Sequence, residues 1–296
     1  MHSGSAEPTG DAAQEDHRYP FAGAANPKRR LGIIKLPQEG QDIPTPVWMD
    51  FAAVNSDPDF YISRVNWLPD KSLGVQRLNR LQTEVTFLRF DVQTGQATTL
   101  IQETNDVWLN TNYLFRNIEA ESKNTFRFLW PSERSGFMHL YLYEYTAGAP
   151  GARLLGAVTS GKWSVESVEG IDLAQGRVYF CGTADSPLER HLYVASLFPT
   201  SEPPLPPTRL TGAEGMHSIV MDSSCHMFVD VYSNTTTPPR AQVCIVPSEG
   251  KIATVNPVEP ADPCLAAEPA SPLSAELAAI FQEIQDSAYP LTTEQE

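Results

Sequence analysis

The chain has 296 residues, of which 41% are hydrophobic, so it can bury a large core in one or two domains. Its formal net charge of −15 at pH 7 argues against nucleic acid as a partner, because binding phosphates requires clustered Lys and Arg. No apolar run reaches the roughly 18 residues that a membrane helix needs, so we expect no membrane partner.

The N-terminal residues 1–17 are small, polar and acidic, and we expect them to be disordered. They contain no basic segment followed by an apolar one, which a secretory signal would require. The sequence therefore predicts a cytoplasmic protein, unless the true start lies upstream of Met1.

Residues 18–250 alternate short runs rich in β-branched and aromatic residues with turn signals. Turns are indicated at Thr94-Gly95, Ser135-Gly136 and Thr211-Gly212. The predicted strands are residues 85–90, 126–130, 139–145, 177–181 and 191–197. No strand–long helix–strand pattern occurs here, so the expected fold class is all-β.

An internal repeat makes this expectation more specific. His139 and His191 each precede Leu-Tyr and are 52 residues apart, and Thr159 and Thr211 are separated by the same 52 residues. A unit of this length made only of strands is typical of a β-propeller blade. Residues 65–70 and 88–95 form a weaker, earlier unit.

The number of blades leaves two alternatives. Residues 22–250 accommodate about four to five blades at this spacing. Four blades can close a ring, but the chain could also hold part of a larger ring.

Residues 251–296 differ in composition. No basic residue follows Lys251, whereas eight acidic residues do. Residues 253–272, rich in Pro and Ala, predict a linker, solvated or acting as an acidic interaction tail. A short C-terminal helix should follow, capped by Ser271, with apolar residues at helical spacing. Those residues are Leu273, Leu277, Ile280, Phe281 and Ile284.

The residue types that carry chemistry do not form a recognisable site. The four cysteines show no metal-binding spacing, so we expect neither a metal nor another cofactor, and no disulfide in a cytoplasmic chain. Cys181 lies in an apolar strand pattern and is predicted to be a buried thiol. No pair of acidic residues stands out as glycosidase-like.

Histidines and tryptophans are interpreted as structural. His217-Ser218, with Asp222 nearby, has poor spacing for a catalytic triad. His139 and His191 recur at one repeat position, which favours hydrogen bonding within the fold. Four tryptophans are expected to fill the core between blades, namely Trp67, Trp108, Trp130 and Trp163.

Several segments resemble one protein family in the same order along the chain. RYPFAGAANP at residues 18–27 and YISRVNW at residues 61–67 resemble segments of the dipeptidyl peptidase IV family, the S9B family of the prolyl oligopeptidase clan. DVWLN at 106–110, GKWSV at 161–165 and YFCGTADSPLERHLYV at 179–194 are similar to its branch containing dipeptidyl peptidases 8 and 9. The resemblance extends over about residues 18–250.

The resemblance implies an eight-bladed propeller packed on a C-terminal α/β-hydrolase domain that releases Xaa-Pro dipeptides. In that family, paired glutamates for the substrate amine precede the segment matched by Tyr19-Pro20, and a Gly-x-Ser-x-Gly elbow follows the propeller. Neither a Glu-Glu pair nor such an elbow occurs here. The chain is therefore expected to hold the later blades, with no catalytic residue, and residues 251–296 lead towards an absent hydrolase domain.

Two functional hypotheses follow. In the first, the chain is the propeller part of a serine-type dipeptidyl peptidase and positions peptide substrates for its hydrolase domain, with a second copy of the protein as a further candidate partner. The expected substrate-binding residues are then Trp108, Asn110 and Asn112, near a substrate-contacting loop of the family. In the second, it is a stand-alone, non-enzymatic propeller that binds a protein or peptide partner.

Overall fold

The computed structural model describes residues 21–37, 39–40, 42–111, 113–118 and 124–246, and within these ranges the protein is all-β. The predicted disordered N-terminus, acidic linker and C-terminal helix lie outside the described residues. So does Asn112.

Seventeen strands lie within the described ranges, and they form four main sheets and one small pair. The small pair is β1 (Gly32–Ile33) and β2 (Val47–Trp48). The first sheet contains β3 (Phe60–Trp67), β4 (Leu73–Asn79), β5 (Glu84–Phe90) and β6 (Ala97–Thr104). The second contains β7 (Arg116–Ile118), β8 (Thr125–Ser132), β9 (His139–Thr146) and β10 (Arg153–Ala157). The third contains β11 (Val165–Asp172), β12 (Arg177–Gly182), β13 (His191–Ser196) and β14 (Thr208–Arg209). The fourth contains β15 (Met216–Met221), β16 (Met227–Ser233) and β17 (Arg240–Ile245).

In each main sheet, every strand pairs antiparallel with the next one in sequence. All five strands predicted from the sequence are present, with ends that differ by at most two residues. Three sheets of four strands and one of three, stacked in sequence, are the blades of a partial β-propeller. The predicted fold class is thus confirmed.

The 52-residue repeat is also present in the hydrogen bonding. The amide of Val165 donates to the carbonyl of Met138 at 2.8 Å, and His217 donates to Arg190 at 3.1 Å, one repeat later. Both bonds join the start of one sheet to the preceding sheet. Equivalent residues therefore occupy equivalent places in successive blades.

The weaker early unit is only half correct. Leu88 in β5, a third strand, lies 52 residues before Leu140 in β9, also a third strand. Residues 65–70, whose Trp-Leu-Pro resembles the Trp-Pro at Trp130 in the next unit, begin in the first strand β3, whereas Trp130 lies in the second strand β8. The similarity of a Trp followed closely by Pro is therefore coincidental.

Hydrophobic cores lie between neighbouring sheets, because alternate residues of a central strand face opposite sides. In β12, Phe180 packs in the core shared by the second and third sheets, whereas Tyr179 and Cys181 pack in the core shared with the fourth. The burial of Cys181, predicted from the sequence, is confirmed. The second and third blades are thus packed on both faces by neighbouring blades.

The first strands of consecutive sheets are also linked to each other. Asn117 in β7 donates through its side chain to the carbonyl of Trp67 in β3 at 2.7 Å. Arg116, also in β7, donates to the carbonyl of Val168 in β11 at 2.8 Å. These bonds align the sheets along the edge formed by their first strands.

Gly95 shows why the predicted Thr94-Gly95 turn needs glycine. Its φ of 75° lies in the left-handed region, and a Cβ atom would come within 2.2 Å of the carbonyl oxygen of Trp48. The close approach lets the carbonyl of Gly95 accept a 2.9 Å hydrogen bond from Asp50. The turn thereby fixes the N-terminal segment against the first sheet.

One face of the fourth sheet is apolar and exposed. Four of its side chains, on three adjacent strands, are between 38% and 69% exposed. They are Val220, Val229, Val231 and Ile245. An end blade of an incomplete ring is expected to have such a face.

Candidate functional site

The predicted substrate-facing residues Trp108 and Asn110 lie on the loop between β6 and β7. The side-chain oxygen of Asn105 accepts hydrogen bonds from the amides of Val107, at 2.9 Å, and Trp108, at 3.2 Å, which turns the chain. Leu109 is buried, and its amide donates to the carbonyl of Gln82 at 2.8 Å. Residues 105–109 are therefore fixed at both ends.

The indole of Trp108 is 48% exposed, and Trp67 is 59% exposed, so the prediction that they fill the core between blades is wrong. Trp67 is the last residue of β3 and Trp108 lies on the loop after β6, and both side chains point away from the cores between the sheets. The prediction is correct for the other two tryptophans, since Trp130 is buried and Trp163 stacks on Phe180 at 5.8 Å.

The structure brings Trp108 and Asn110 together with a residue that the sequence did not indicate. The indole Nε1 of Trp108 donates to the side-chain oxygen of Asn110 at 3.1 Å. The amide nitrogen of Asn110 donates to both carboxylate oxygens of Glu133, at 3.1 and 2.9 Å. Glu133 belongs to the turn between β8 and β9, and in the sequence it is an ordinary surface acid. We call Trp108, Asn110 and Glu133 the Trp108 surface.

A polar network supports this surface from below. Glu103 accepts a 2.8 Å hydrogen bond from the indole of Trp130 and another from the hydroxyl of Ser132. It also forms an ion pair with Arg134 at 3.5 Å. The guanidinium of Arg134 lies 4.3 Å above the ring of Tyr141. The network therefore holds the β8–β9 turn, and with it Glu133, in place.

The Trp108 surface is shallow. The cavity between Asn110, Glu133 and the support below them has a volume of about 20 Å³, room for about one water molecule. A ligand would therefore lie on top of it, against the indole face and the carboxylate of Glu133. That combination suits recognition of a peptide or of a cation, and contains no nucleophile.

A second and larger concave region separates β11 from β15, with a volume of about 600 Å³. Its polar lining includes an ion pair between Glu166 and Arg190. Glu169 accepts a hydrogen bond from Ser167 there. In this groove, as on the Trp108 surface, the polar groups bind each other.

His217 lies beside this groove but has no catalytic geometry. Its Nδ1 lies 2.9 Å from both carboxylate oxygens of Asp230, and its Nε2 lies 2.9 Å from the carbonyl of Ala213. The buried side chain of His217 and the exposed Ser218 alternate along β15 and so face opposite sides. The structural interpretation of His217 is confirmed, with Asp230 rather than Asp222 as its partner.

Asp222, Ser224 and His226 do meet in the β15–β16 turn, but in the wrong order for nucleophilic catalysis. The hydroxyl of Ser224 donates to Asp222 and lies 3.1 Å from Nδ1 of His226. In a triad the imidazole lies between the serine and the acid. Among the described residues, no cluster of three or more His, Cys, Asp or Glu side chains could hold a metal ion.

Comparison with known proteins agrees with the fold described above. Residues 3–239 match the family described as the dipeptidyl peptidase IV N-terminal region. The chain is 30% identical over 277 aligned residues to dipeptidyl peptidase 8 of Homo sapiens, with 76% of this chain and 30% of that protein covered. It is also 30% identical over 184 residues to a probable dipeptidyl peptidase 4 of Neosartorya fischeri, with 60% and 22% covered. The chain thus spans about 30% of the length of the human relative.

Within the described ranges, no helix has the length and hydrophobicity that crossing a bilayer requires.

Proposed function

The chain belongs to the family of dipeptidyl peptidase IV N-terminal regions, and from this premise we propose that it is the propeller part of a serine-type dipeptidyl peptidase. Its role is to gate and position peptide substrates for an α/β-hydrolase domain in the same polypeptide, which releases Xaa-Pro dipeptides. The observation that carries the proposal is the series of four stacked sheets with a 52-residue repeat, which the family match covers up to residue 239.

Different segments of the polypeptide are proposed to have different roles. The domain boundaries expected from the sequence are part of this proposal: a disordered N-terminus at residues 1–17, the partial propeller at residues 18–250, and an acidic linker and helix at residues 251–296 leading towards the hydrolase domain. The nucleophile then lies on the hydrolase domain, outside these 296 residues. We further propose that the whole protein is cytoplasmic and a homodimer, as the family resemblance implies.

The exposed apolar face of the fourth sheet is of the kind on which a further blade packs. A blade is stable when both of its faces are packed, as in the three other sheets. Val220 and Ile245, on the open face, are 69% and 51% exposed. A self-sufficient propeller would cover such side chains with a further blade or a cap.

Substrate contact is proposed for Trp108 and Asn110, together with Asn112. The exposed indole would pack on the peptide, and Asn110 would present its amide while Glu133 holds it in place. The surface binds and orients the peptide and takes no part in bond cleavage.

The test uses the full-length protein and a peptide of at least four residues that begins Xaa-Pro. Trp108→Ala and Asn110→Ala should each raise KM about five- to tenfold, which corresponds to the loss of about 1 kcal/mol of binding, with kcat nearly unchanged. Trp48→Ala is the matched control, since Trp48 is exposed to a similar extent, 46%. If the Trp108 and Trp48 variants raise KM equally, the proposed contact between Trp108 and the peptide is contradicted.

A second measurement tests whether hydrolysis requires the hydrolase domain of the full-length protein. The purified 296-residue chain should not hydrolyse an Xaa-Pro-aminocoumarin, whereas the full-length protein should. Turnover by the chain alone would refute the proposal, and so would the absence of a hydrolase domain from the full-length protein.

A further inference from the structure

The connection between β13 and β14 carries a proline-rich segment, PPLPP at residues 203–207. Each of these residues is a proline or directly precedes one. Proline fixes its own φ and restricts the preceding residue to extended conformations. The covalent structure therefore favours a polyproline II helix, which rises about 3.1 Å per residue.

Exposure along the segment follows the three-residue repeat of that helix. Pro204 and Pro207 are half-buried, whereas Pro203, Leu205 and Pro206 are exposed, Leu205 to 69%. Residues three apart lie on the same edge of a polyproline II helix. Pro204 and Pro207 thus lie on the more buried edge, whereas Leu205 and Pro206 are exposed and line the concave space beside the segment.

The surroundings of the segment leave room for a ligand. A concave space of about 280 Å³ separates it from the ends of β12 and β13, lined by Arg177, Val194 and Ser196 among others. The carbonyl groups of residues 204–207 accept no hydrogen bond from the described part of the chain. Both the apolar edges and the backbone acceptors are thus available to a partner.

Arg209, the first cation after the segment in sequence, is already engaged. Arg209 donates from Nε to the carbonyl of Thr211 at 2.6 Å and from Nη2 to that of Gly212 at 3.0 Å, and it lies 3.6 Å from the carboxylate of Asp185. Recognition of the segment therefore depends on its prolines and Leu205 rather than on a flanking charge.

We propose that residues 203–207 form a docking site for a protein module that binds polyproline II helices in a groove lined by aromatic side chains, as SH3 and WW domains do. Such grooves bind a preformed helix at a low cost in conformational entropy. Aromatic rings of the module pack against Pro203, Leu205 and Pro206, and its donors reach the free carbonyls. The docking site does not depend on the peptidase function proposed above.

The test titrates a panel of ¹⁵N-labelled WW and SH3 domains with the purified 296-residue chain and follows the aromatic groove resonances. Saturable shifts should appear for at least one domain, and the double variant Pro203→Ala, Pro206→Ala should weaken binding at least about tenfold. Both prolines are exposed, so the fold should be retained, which a thermal unfolding curve checks. The control variant Pro238→Ala, Pro239→Ala removes two exposed prolines elsewhere and should bind like the unmodified chain.

Two results would overturn the docking site. One is that no domain of the panel shows saturable shifts at a chain concentration of about 1 mM. The other is that the Pro203, Pro206 variant binds as tightly as the Pro238, Pro239 control.

Discussion

His139 and Thr159 are joined by a 3.0 Å hydrogen bond between Nδ1 and Oγ1, and His191 and Thr211 repeat it at 2.9 Å one sheet later. The threonine oxygen also accepts the amide of Leu140, at 3.0 Å, so its hydroxyl hydrogen is directed to Nδ1. Nε2 of His139 then donates to the carbonyl of Gly161 at 3.0 Å. The repeat that is visible in the sequence is therefore a buried hydrogen-bond network shared by the second and third blades.

Replacing the threonine of this network tests its contribution to stability. Thr159→Val keeps the shape of the side chain but leaves Nδ1 of His139 and the amide of Leu140 without their partner. An unsatisfied buried group costs about 1–3 kcal/mol, so the free energy of unfolding should fall by that amount in urea titrations. Thr235→Val, at an exposed threonine, is the control. A loss no larger than that of the control would show that the network is dispensable.

The same histidines predict a dependence of stability on pH. Burial lowers the pKa of His139 and of His191 from the ordinary value of 6.5. The folded state therefore favours the neutral rings. The neutral rings therefore contribute to the free energy of unfolding. This contribution is fully present above pH 6.5 and is lost as the pH falls through 6.5 towards the lower folded-state pKa.

The measurement is the free energy of unfolding at a series of pH values from about 7.5 to about 5, above the range in which most carboxylates titrate. Stability should decrease with falling pH, and His139→Gln should decrease less steeply than the unmodified chain. His226→Gln removes an exposed histidine and is the control. A slope that is identical in the His139 variant and the unmodified chain would contradict the assignment of the neutral ring.

The strands and their repeat could be predicted from the sequence because both depend on local alternation and on residues that recur at fixed spacing. Contacts between blades could not. Glu133 meets Asn110, and Asp230 meets His217, only after separate strands or turns have been brought side by side. The exposure of Trp108 was missed for the same reason, since only the packed sheets show where the next blade ends.

The aromatic core between the first and second sheets should be sensitive to truncation. Phe128 is fully buried, with its ring centroid 5.7 Å from that of Tyr143 and 5.5 Å from that of Phe87. Phe128→Ala should lower the free energy of unfolding by about 3–5 kcal/mol, because the cavity cannot collapse between two sheets. Phe137→Ala, in an exposed turn, should have a much smaller effect. If both variants unfold at the same urea concentration, the two sheets are not packed as described.

Glu133 is expected to act as a positioning residue, through its hydrogen bonds to Asn110. In the full-length protein, Glu133→Ala should raise KM for the peptide less than Trp108→Ala does, with kcat unchanged, because the indole remains. Glu133→Gln keeps one acceptor for Asn110 and should restore most of the affinity. If the glutamine variant is as impaired as the alanine variant, the carboxylate has a role other than holding Asn110.

The buried cysteines should resist alkylation in the folded state. Burial raises the pKa of the Cys181 and Cys225 thiols and raises that of Cys244 to about 11. Because only the thiolate reacts, Cys244 at pH 8 has about one reactive molecule in a thousand, even before access is considered. Iodoacetamide labelling followed by peptide mapping should show little modification of these three residues in buffer and full modification in about 6 M urea. Modification of Cys181 in buffer at the rate of a free thiol would mean that the third and fourth sheets separate readily, since this side chain lies in the core between them.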